Sequence, residues 1–317
     1  MIKYIFKRIL FMIPMLLGII VIIFSLMYIA PGDPAITILG ESATQEAIDE
    51  IHEEYGLNDP YFVQLGRQLW NLLHGDMGIS YMSKRAVTEE IAARFPTTLR
   101  LVLISAFFGL IIGVVAGVVS AVRQYSIWDR ILTMFSLLGI SVPSFWLSML
   151  LVLLFAMELK WLPISGLNSP LSYVLPVFTL GLQSSAYIMR MTRSSMLDVI
   201  RQDYIATARA KGQREIVIIL KHGLKNSFMT ILTAFGVQVA NLMAGTVMVE
   251  TMFAIPGLSK YLINCVNNND YPTVQGIVLV IAFTTIFINL LVDIIYGFID
   301  PRIKLSMSAK KKQKKSA

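Results

Sequence analysis

Long apolar runs alternate with short polar stretches along this chain, and the runs set its organisation. Ile9 to Ile29 is nearly uninterrupted and long enough to cross a hydrocarbon core of about 30 Å. It follows Lys3, Lys7 and Arg8 as a signal sequence would. It exceeds the usual apolar segment of about 7–15 residues, however, and no small-x-small cleavage pattern follows. The reading is an uncleaved first span, with Pro14 in its first turns, where a missing hydrogen bond costs least. Further runs at 97–122, 131–157, 171–189, 228–249 and 274–299 predict six transmembrane helices and an all-α polytopic membrane protein. Pro143 and Pro176 are expected to bend the third and fourth.

Residues 30–96 form a polar insert after the first span, with eleven acidic residues against four basic ones. Ala47, Ile48 and Ile51 give Thr44 to Tyr55 the apolar edge of a short helix. Leu65, Leu69, Leu72 and Leu73 mark another after the Asn58-Asp59-Pro60 turn. His52 and His74 read as solvated surface residues. Lys and Arg concentrate elsewhere. Residues 1–8, the 123–130 turn, the 190–227 loop and the 300–317 tail carry twenty, while the two short opposite loops carry only Lys160 and Lys260. The positive-inside rule then places both termini and the 190–227 loop in the cytoplasm, and the insert outside. The Lys-rich tail, 310–315, reads as a solvated, disordered charge run.

Two local patterns stand out. Ser105, Gly109, Gly113 and Gly117 recur at intervals of four on the second span. They form a small-residue groove suited to helix packing rather than to lining a substrate path. In the 190–227 loop, Met196, Val199, Ile200, Tyr204 and Ala208 recur at helical spacing. Ser194 or Ser195 is a candidate cap for one helix reaching Lys211, Gly212 can end it in the left-handed conformation, and a second short helix fits Arg214 to Lys221, before Gly223. The small side chains Ala206, Thr207, Ala208 and Ala210 allow close approach. The result is a helix–glycine–helix elbow offered to a partner.

Composition narrows the function. At 56% hydrophobic and 15% charged, the chain is more apolar than a soluble domain. Its single cysteine, Cys265, excludes an intrachain disulfide. The net charge of +7 reflects topology rather than a nucleic-acid footprint. Neither a Gly-x-x-x-x-Gly-Lys-[Ser/Thr] phosphate loop nor a His-Glu-x-x-His metal site occurs. Gly139-Ile140-Ser141 superficially resembles an intramembrane serine protease, but no histidine lies in a span to act as base. No catalytic or metal-ligating residue is assigned. Gln238, Asn241, Asn289 and Asp293 are the polar candidates for a translocation pathway. Asp293 is the only acid well inside a span, which equips the chain poorly as a gradient-driven secondary transporter, the alternative class.

The stretch Asp203-Tyr204-Ile205-Ala206-Thr207-Ala208-Arg209-Ala210-Lys211-Gly212 resembles the coupling loop, or EAA loop, of binding-protein-dependent ABC importer permeases, in their oligopeptide/dipeptide/nickel branch. The general pattern is Glu-Ala-Ala, three residues, then Gly. Here Ala206, Thr207, Ala208 and Gly212 hold those places, and the leading Glu is absent. Ala30-Pro31-Gly32-Asp33-Pro34, Gly56-Leu57, Gly75-Asp76-Met77-Gly78-Ile79-Ser80 and Trp161-Leu162-Pro163-Ile164-Ser165-Gly166 follow the branch in order. So do Glu250, Phe253, Pro256 and Gly257, then Asn289, Asp293, Tyr296 and Asp300-Pro301-Arg302. The resemblance implies a type I ABC importer permease fold in a bacterial or archaeal cytoplasmic membrane. It implies two cytoplasmic ABC ATPase subunits docked on Asp203 to Gly212, holding the ATP and Mg, with no cofactor in this chain. A second, homologous permease would complete a heterodimer. An extracytoplasmic binding protein would face the insert and the Trp161 and Phe253 loops. The cargo would be a dipeptide, an oligopeptide, a glutathione-like peptide, or nickel or another metal as a chelate.

Overall fold

The computed structural model describes residues 2–30, 32–40, 42–167 and 169–299. Pro31, the basic tail and Asp300-Pro301-Arg302 lie outside the described residues, as do the side chains of Lys3, Lys7 and Tyr296. In chain order the α-helices are α1 (Ile2–Ile29), α2 (Pro34–Leu39), α3 (Gln45–Tyr55), α4 (Tyr61–Leu73), α5 (Val87–Val122), α6 (Ile127–Ser141) and α7 (Ser144–Leu151). They continue with α8 (Val174–Ile200), α9 (Asp203–Ala210), α10 (Glu215–Val217), α11 (Lys225–Gly245), α12 (Val247–Met252), α13 (Leu258–Asn267) and α14 (Tyr271–Ile299). π-helical stretches, Val152–Glu158 and Ile218–Leu224, extend α7 and join α10 to α11. The described residues pair as β only at one isolated bridge, Ile79 with Ala86.

The helices divide between two compact units, Ile2–Thr98 with Pro256–Phe287, and Leu99–Ile255 with the residues from Ile288. In the first, α3 starts at Thr44, whose side chain accepts from the Ala47 amide, and stops at Gly56 in the left-handed conformation. His52 is not simply solvated: its Nε2 lies 2.8 Å from Asp33, the N-cap of α2. The buried Asp270 carboxylate accepts from Ser80 Oγ (2.6 Å), the Tyr81 amide (3.0 Å) and Thr273 Oγ1 (2.9 Å). It thereby pins the end of the insert to the corner between α13 and α14. Val87, Ile91, Leu258 and Ile277 form the apolar core beside it. The helix expected at Thr97 begins instead at Val87. Glu89 and Glu90 complement its amino end, and Pro96 is accommodated inside the helix.

The second unit is built around α8, which is longer than the 171–189 span read from hydropathy. A 3-10 turn, Pro170–Tyr173, leads into it, and it runs unbroken to Ile200. Gly109, Gly113 and Gly117 of α5 lie against it. A Cβ at Gly113 would stand 2.7 Å from the Ser185 carbonyl oxygen and 2.8 Å from Ile188 Cβ, and one at Gly117 2.6 Å from Thr192 Cβ. Ser105 sits on the same seam, 3.1 Å from its carbonyl oxygen to a Cβ placed on Gly181. The hydroxyls of Ser105, Ser184 and Thr192 are buried without a hydrogen-bond partner, so the seam uses these residues for their size.

The third expected span is two helices. α6 and the helix Ser144–Glu158 meet at 105°, because Val142 is extended ahead of Pro143. Gln183 Nε2 donates to the Val142 carbonyl freed there (3.0 Å). Among the described residues four helices are long and apolar enough to cross a membrane, or five if the bent pair counts as one span. The helix at the remaining run, α8, falls outside that group because it carries Gln183, Ser184, Ser185, Arg190 and Arg193. It is also the most enclosed: Leu180, Ile188, Met189 and Met196 are all buried. The last two runs also shift. The helix containing α11 starts at Glu215 and ends at Gly245, and α14 begins at Tyr271.

A leucine at Gly113 has no room at this seam, so Gly113→Leu should lower the recovery of monodisperse protein and its unfolding temperature in detergent. Wild-type recovery and stability would contradict the packing account.

Candidate functional site

The elbow is shorter than the sequence pattern suggests and is organised by different residues. The single helix expected from Ser194 to Lys211 is broken at Arg201 and Gln202, where Gln202 is extended and starts α9 at Asp203. Ser194 and Ser195 are therefore interior to α8 and cap nothing. The break turns α9 back on the following helix, so Ile205 and Ala208, one turn apart, bury against Ile218. Tyr204, read as part of the apolar stripe, is 43% exposed, and its hydroxyl accepts from Asn226 Nδ2 at 3.1 Å. The second helix does not stop before Gly223 but passes through the π-helical turn into α11.

Hydrogen bonds close the corner. The Gly212 amide donates to the Arg209 carbonyl (2.9 Å) and the Gln213 amide to the Ala208 carbonyl (3.3 Å), with Gly212 at φ +73°. This is a Schellman cap, and its left-handed position strains any residue with a Cβ. Arg209 Nη2 reaches Glu215 at 2.7 Å across the corner, and His222 Nε2 lies 2.9 Å from Gln213 Oε1. Thr207 Oγ1 donates to the Asp203 carbonyl (3.0 Å). Asp203, Ala206, Thr207, Arg209, Ala210, Lys211 and Gly212 remain exposed. Ala206 and Ala210, one turn apart, give this face a smooth centre flanked by charge. Glu215, Asn226 and Ile205 do as much for the corner as the motif residues. The pattern missed them because their partners lie on a different helix.

Above the elbow a second polar group fastens α8. Arg193 binds Asp129 with Nε to Oδ1 at 2.8 Å and Nη2 to Oδ2 at 2.9 Å. Ser120 Oγ and the Tyr125 amide (2.9 Å) also donate to this carboxylate, and Ser126 caps α6 at the Asp129 amide. Asp129 is almost fully buried, and Arg193 is 26% exposed at its side chain. One carboxylate thus ties the last turns of α5, the start of α6 and α8 together. Asp129 and Arg193 stand 64 positions apart, in the 123–130 turn and the 190–227 loop, so no local pattern pairs them.

The pathway candidates lie on two helices, Gln238 and Asn241 on α11, Asn289 and Asp293 on α14. Asn241 and Asn289 are exposed, and Gln238 and Asp293 are half-buried. Their helices do touch, since a Cβ at Gly236 would stand 2.5 Å from Val292 Cγ2. Near the loop after α7, Trp161 is 66% exposed, but Phe253 is buried and so offers its backbone, not its ring: the Gly166 amide donates to its carbonyl at 2.8 Å. The described residues contain no group of three or more His, Cys, Asp or Glu able to hold a metal.

The long apolar helices, together with the family and relatives that the chain matches, define the class as transport permeases. The chain is a member of the family described as binding-protein-dependent transport system inner membrane component, whose pattern matches residues 97–305; the N-terminal component of such systems matches residues 1–102. It is 40% identical to the dipeptide transport system permease protein DppB of Alkalihalophilus pseudofirmus, over 96% of this chain and all of that one. It is 42% identical to the glutathione transport system permease protein GsiC of Pectobacterium atrosepticum, over 96% and 99% of the two chains. Among solved structures it resembles the MetNI methionine ABC transporter in an inward-facing conformation. That match has a TM-score of 0.58 at 19% identity, covers 67% of this chain and 97% of the other, and shows the shared fold.

Removing the carboxylate with Asp129→Ala leaves Arg193 without its charge partner, with Ser120 Oγ still 3.0 Å from its Nε, and should cost about 3 kcal/mol of stability. Thermal unfolding of the purified chain checks this, and an unchanged midpoint would show that the clamp contributes nothing.

Proposed function

We propose that the chain is the transmembrane permease subunit of an ATP-driven importer of peptides, delivered by a binding protein on the far side of the membrane. The observation that carries this reading is the elbow: a smooth, exposed small-residue face on a corner fastened to a helix that enters the membrane. Such a corner suits a groove on a partner that moves as it binds and hydrolyses ATP. Hydrolysis then belongs to separate ATPase subunits holding ATP and Mg. The relatives' names, dipeptide and glutathione, support a short peptide as cargo, and the lean supply of ionisable groups in the spans argues against gradient coupling.

Six spans, counting α8, would put both termini on one side, and the basic bias supports that side, with the elbow, being the cytoplasm. Exposed amides such as Asn241 and Asn289 are costly against lipid, so water or a second protein surface must cover them. A second, homologous permease subunit meeting these faces, with Gln238 and Asp293 at its edge, would enclose a translocation pathway at the dimer seam.

The test is an affinity pull-down of the tagged chain from its native membrane, with mass spectrometry of its companions. ABC ATPases and a second permease should be recovered. Ala206→Trp, which places bulk on the exposed face without touching Ile218, should keep wild-type insertion and lose the ATPases by at least about tenfold. A wild-type chain recovered alone, or ATPases retained at full yield by Ala206→Trp, would contradict the assignment.

A further inference from the structure

The insert carries an apolar face that nothing in its own unit covers. On α4, Phe62 is 82% exposed, Leu73 81% and Trp70 65%, with Val63 at 50% beside them. At 100° per residue Phe62, Trp70 and Leu73 fall within about 80° of one another, one stripe along the helix. The opposite side makes the contacts with the rest of the unit. The Tyr61 ring packs against Phe24 (5.4 Å between centroids) and Tyr28 (5.3 Å), and its hydroxyl lies 2.7 Å from Ser25 Oγ. Gln64 Nε2 donates to the carbonyls of Leu57 and Asp59, at 2.8 Å each.

These contacts fix the depth of α4 against a membrane-spanning helix. The apolar segment of α1 runs from Arg8 to Ile29, and Phe24 lies five residues before its end, about 7 Å along the axis. Tyr61 is docked between Phe24 and Tyr28, so α4 starts beside the last turns of the span. α1 faces outward around the same level, with Ile22 60% and Leu26 59% exposed. A helix that starts beside the last turns of a lipid-facing span, carries one apolar stripe and places a tryptophan on it has the character of an interfacial helix.

We propose that α4 lies at the bilayer interface, with Phe62, Trp70 and Leu73 in the lipid of the leaflet where α1 ends. The lipid surface, continuous with the exposed face of α1, is the occupant of the stripe. The insert is then held against the membrane at two places, the α1 contact and this face. The inference does not rest on the coupling role of the elbow.

Spin labels introduced singly by Phe62→Cys, Trp70→Cys and Leu73→Cys test it. The full chain with its co-purifying subunits would be placed in nanodiscs of phosphatidylethanolamine and phosphatidylglycerol. The native Cys265 can stay, because burial and then the nearby Asp270 charge push its thiol up to about 12, which keeps it from competing for the label. Power saturation should show all three labels accessible to oxygen and shielded from a water-soluble nickel chelate, with the reverse at Glu50→Cys on the polar helix α3. Nickel access at the three sites would mean a solvated face, and shielding from both reagents a protein partner; either overturns the proposal. As an independent readout, brominated phospholipid should quench tryptophan emission less in Trp70→Phe than in the wild type. Equal quenching would also overturn it.

Discussion

A corner transmits a push only if it is stiffer than whatever resists it, and the proposed coupling role sets that requirement for the Asp203–Gly212 elbow. Its stiffness comes from four contacts that all lead to the helix following it. Ile205 and Ala208 bury on Ile218, Tyr204 meets Asn226, Arg209 meets Glu215, and Gln213 meets His222. The Schellman cap at Gly212 sets the angle at which the corner turns. None of these contacts is strong alone, and the exposed Arg209–Glu215 pair is worth little as stability. Together they tie α9 to the helix that begins at Glu215, the path that the proposed coupling role requires for a force on Ala206 or Ala210.

The helix before the elbow meets the complementary need. α8 holds the most polar of the apolar runs and is the most enclosed helix of its unit, because its serines, glutamine and arginines would be costly against lipid. Enclosure requires close neighbours, and the glycines at 109, 113 and 117 provide a close one by bringing no Cβ of their own to the contact with Ser184, Ile188 and Thr192. At its far end the Asp129–Arg193 clamp holds α8 to the turn between α5 and α6. α8 therefore arrives at the elbow braced along one side and at its end, while α9 is braced on the other helix. The two-residue break at Arg201 and Gln202 joins them, held by local bonds only, such as Gln202 Nε2 to the Asp198 carbonyl at 3.2 Å.

Much of this was legible in the sequence, and the failures have common causes. Apolar runs marked where helices lie but not where they end: α5 begins ten residues early and α8 continues past its apolar part, because capping and packing set helix ends. The interval-of-four glycines announced a close seam, while the identity of its partner, α8, depends on tertiary placement. The elbow's motif and its glycine were readable from residue type and order. Its buried face was not, since a single uninterrupted helix and a broken one give different stripes, and only the turn at Gln202 selects Ile205 over Tyr204. Pairings such as Asp129 with Arg193, or Asp270 with Ser80, join residues 64 and 190 positions apart and leave no local trace.

The central claim is that the elbow and the helix from Glu215 to Gly245 move as one body, and a distance across them tests it most directly. Spin labels at Lys211→Cys and Thr233→Cys, in the transporter reconstituted with its co-purified partners, report that distance by double electron–electron resonance. The account predicts one narrow distribution that stays the same without nucleotide, with ATP and after vanadate trapping, while labels on the partner subunits shift. A distribution that broadens or moves by several ångströms on adding ATP would show a corner that bends, and would contradict the account.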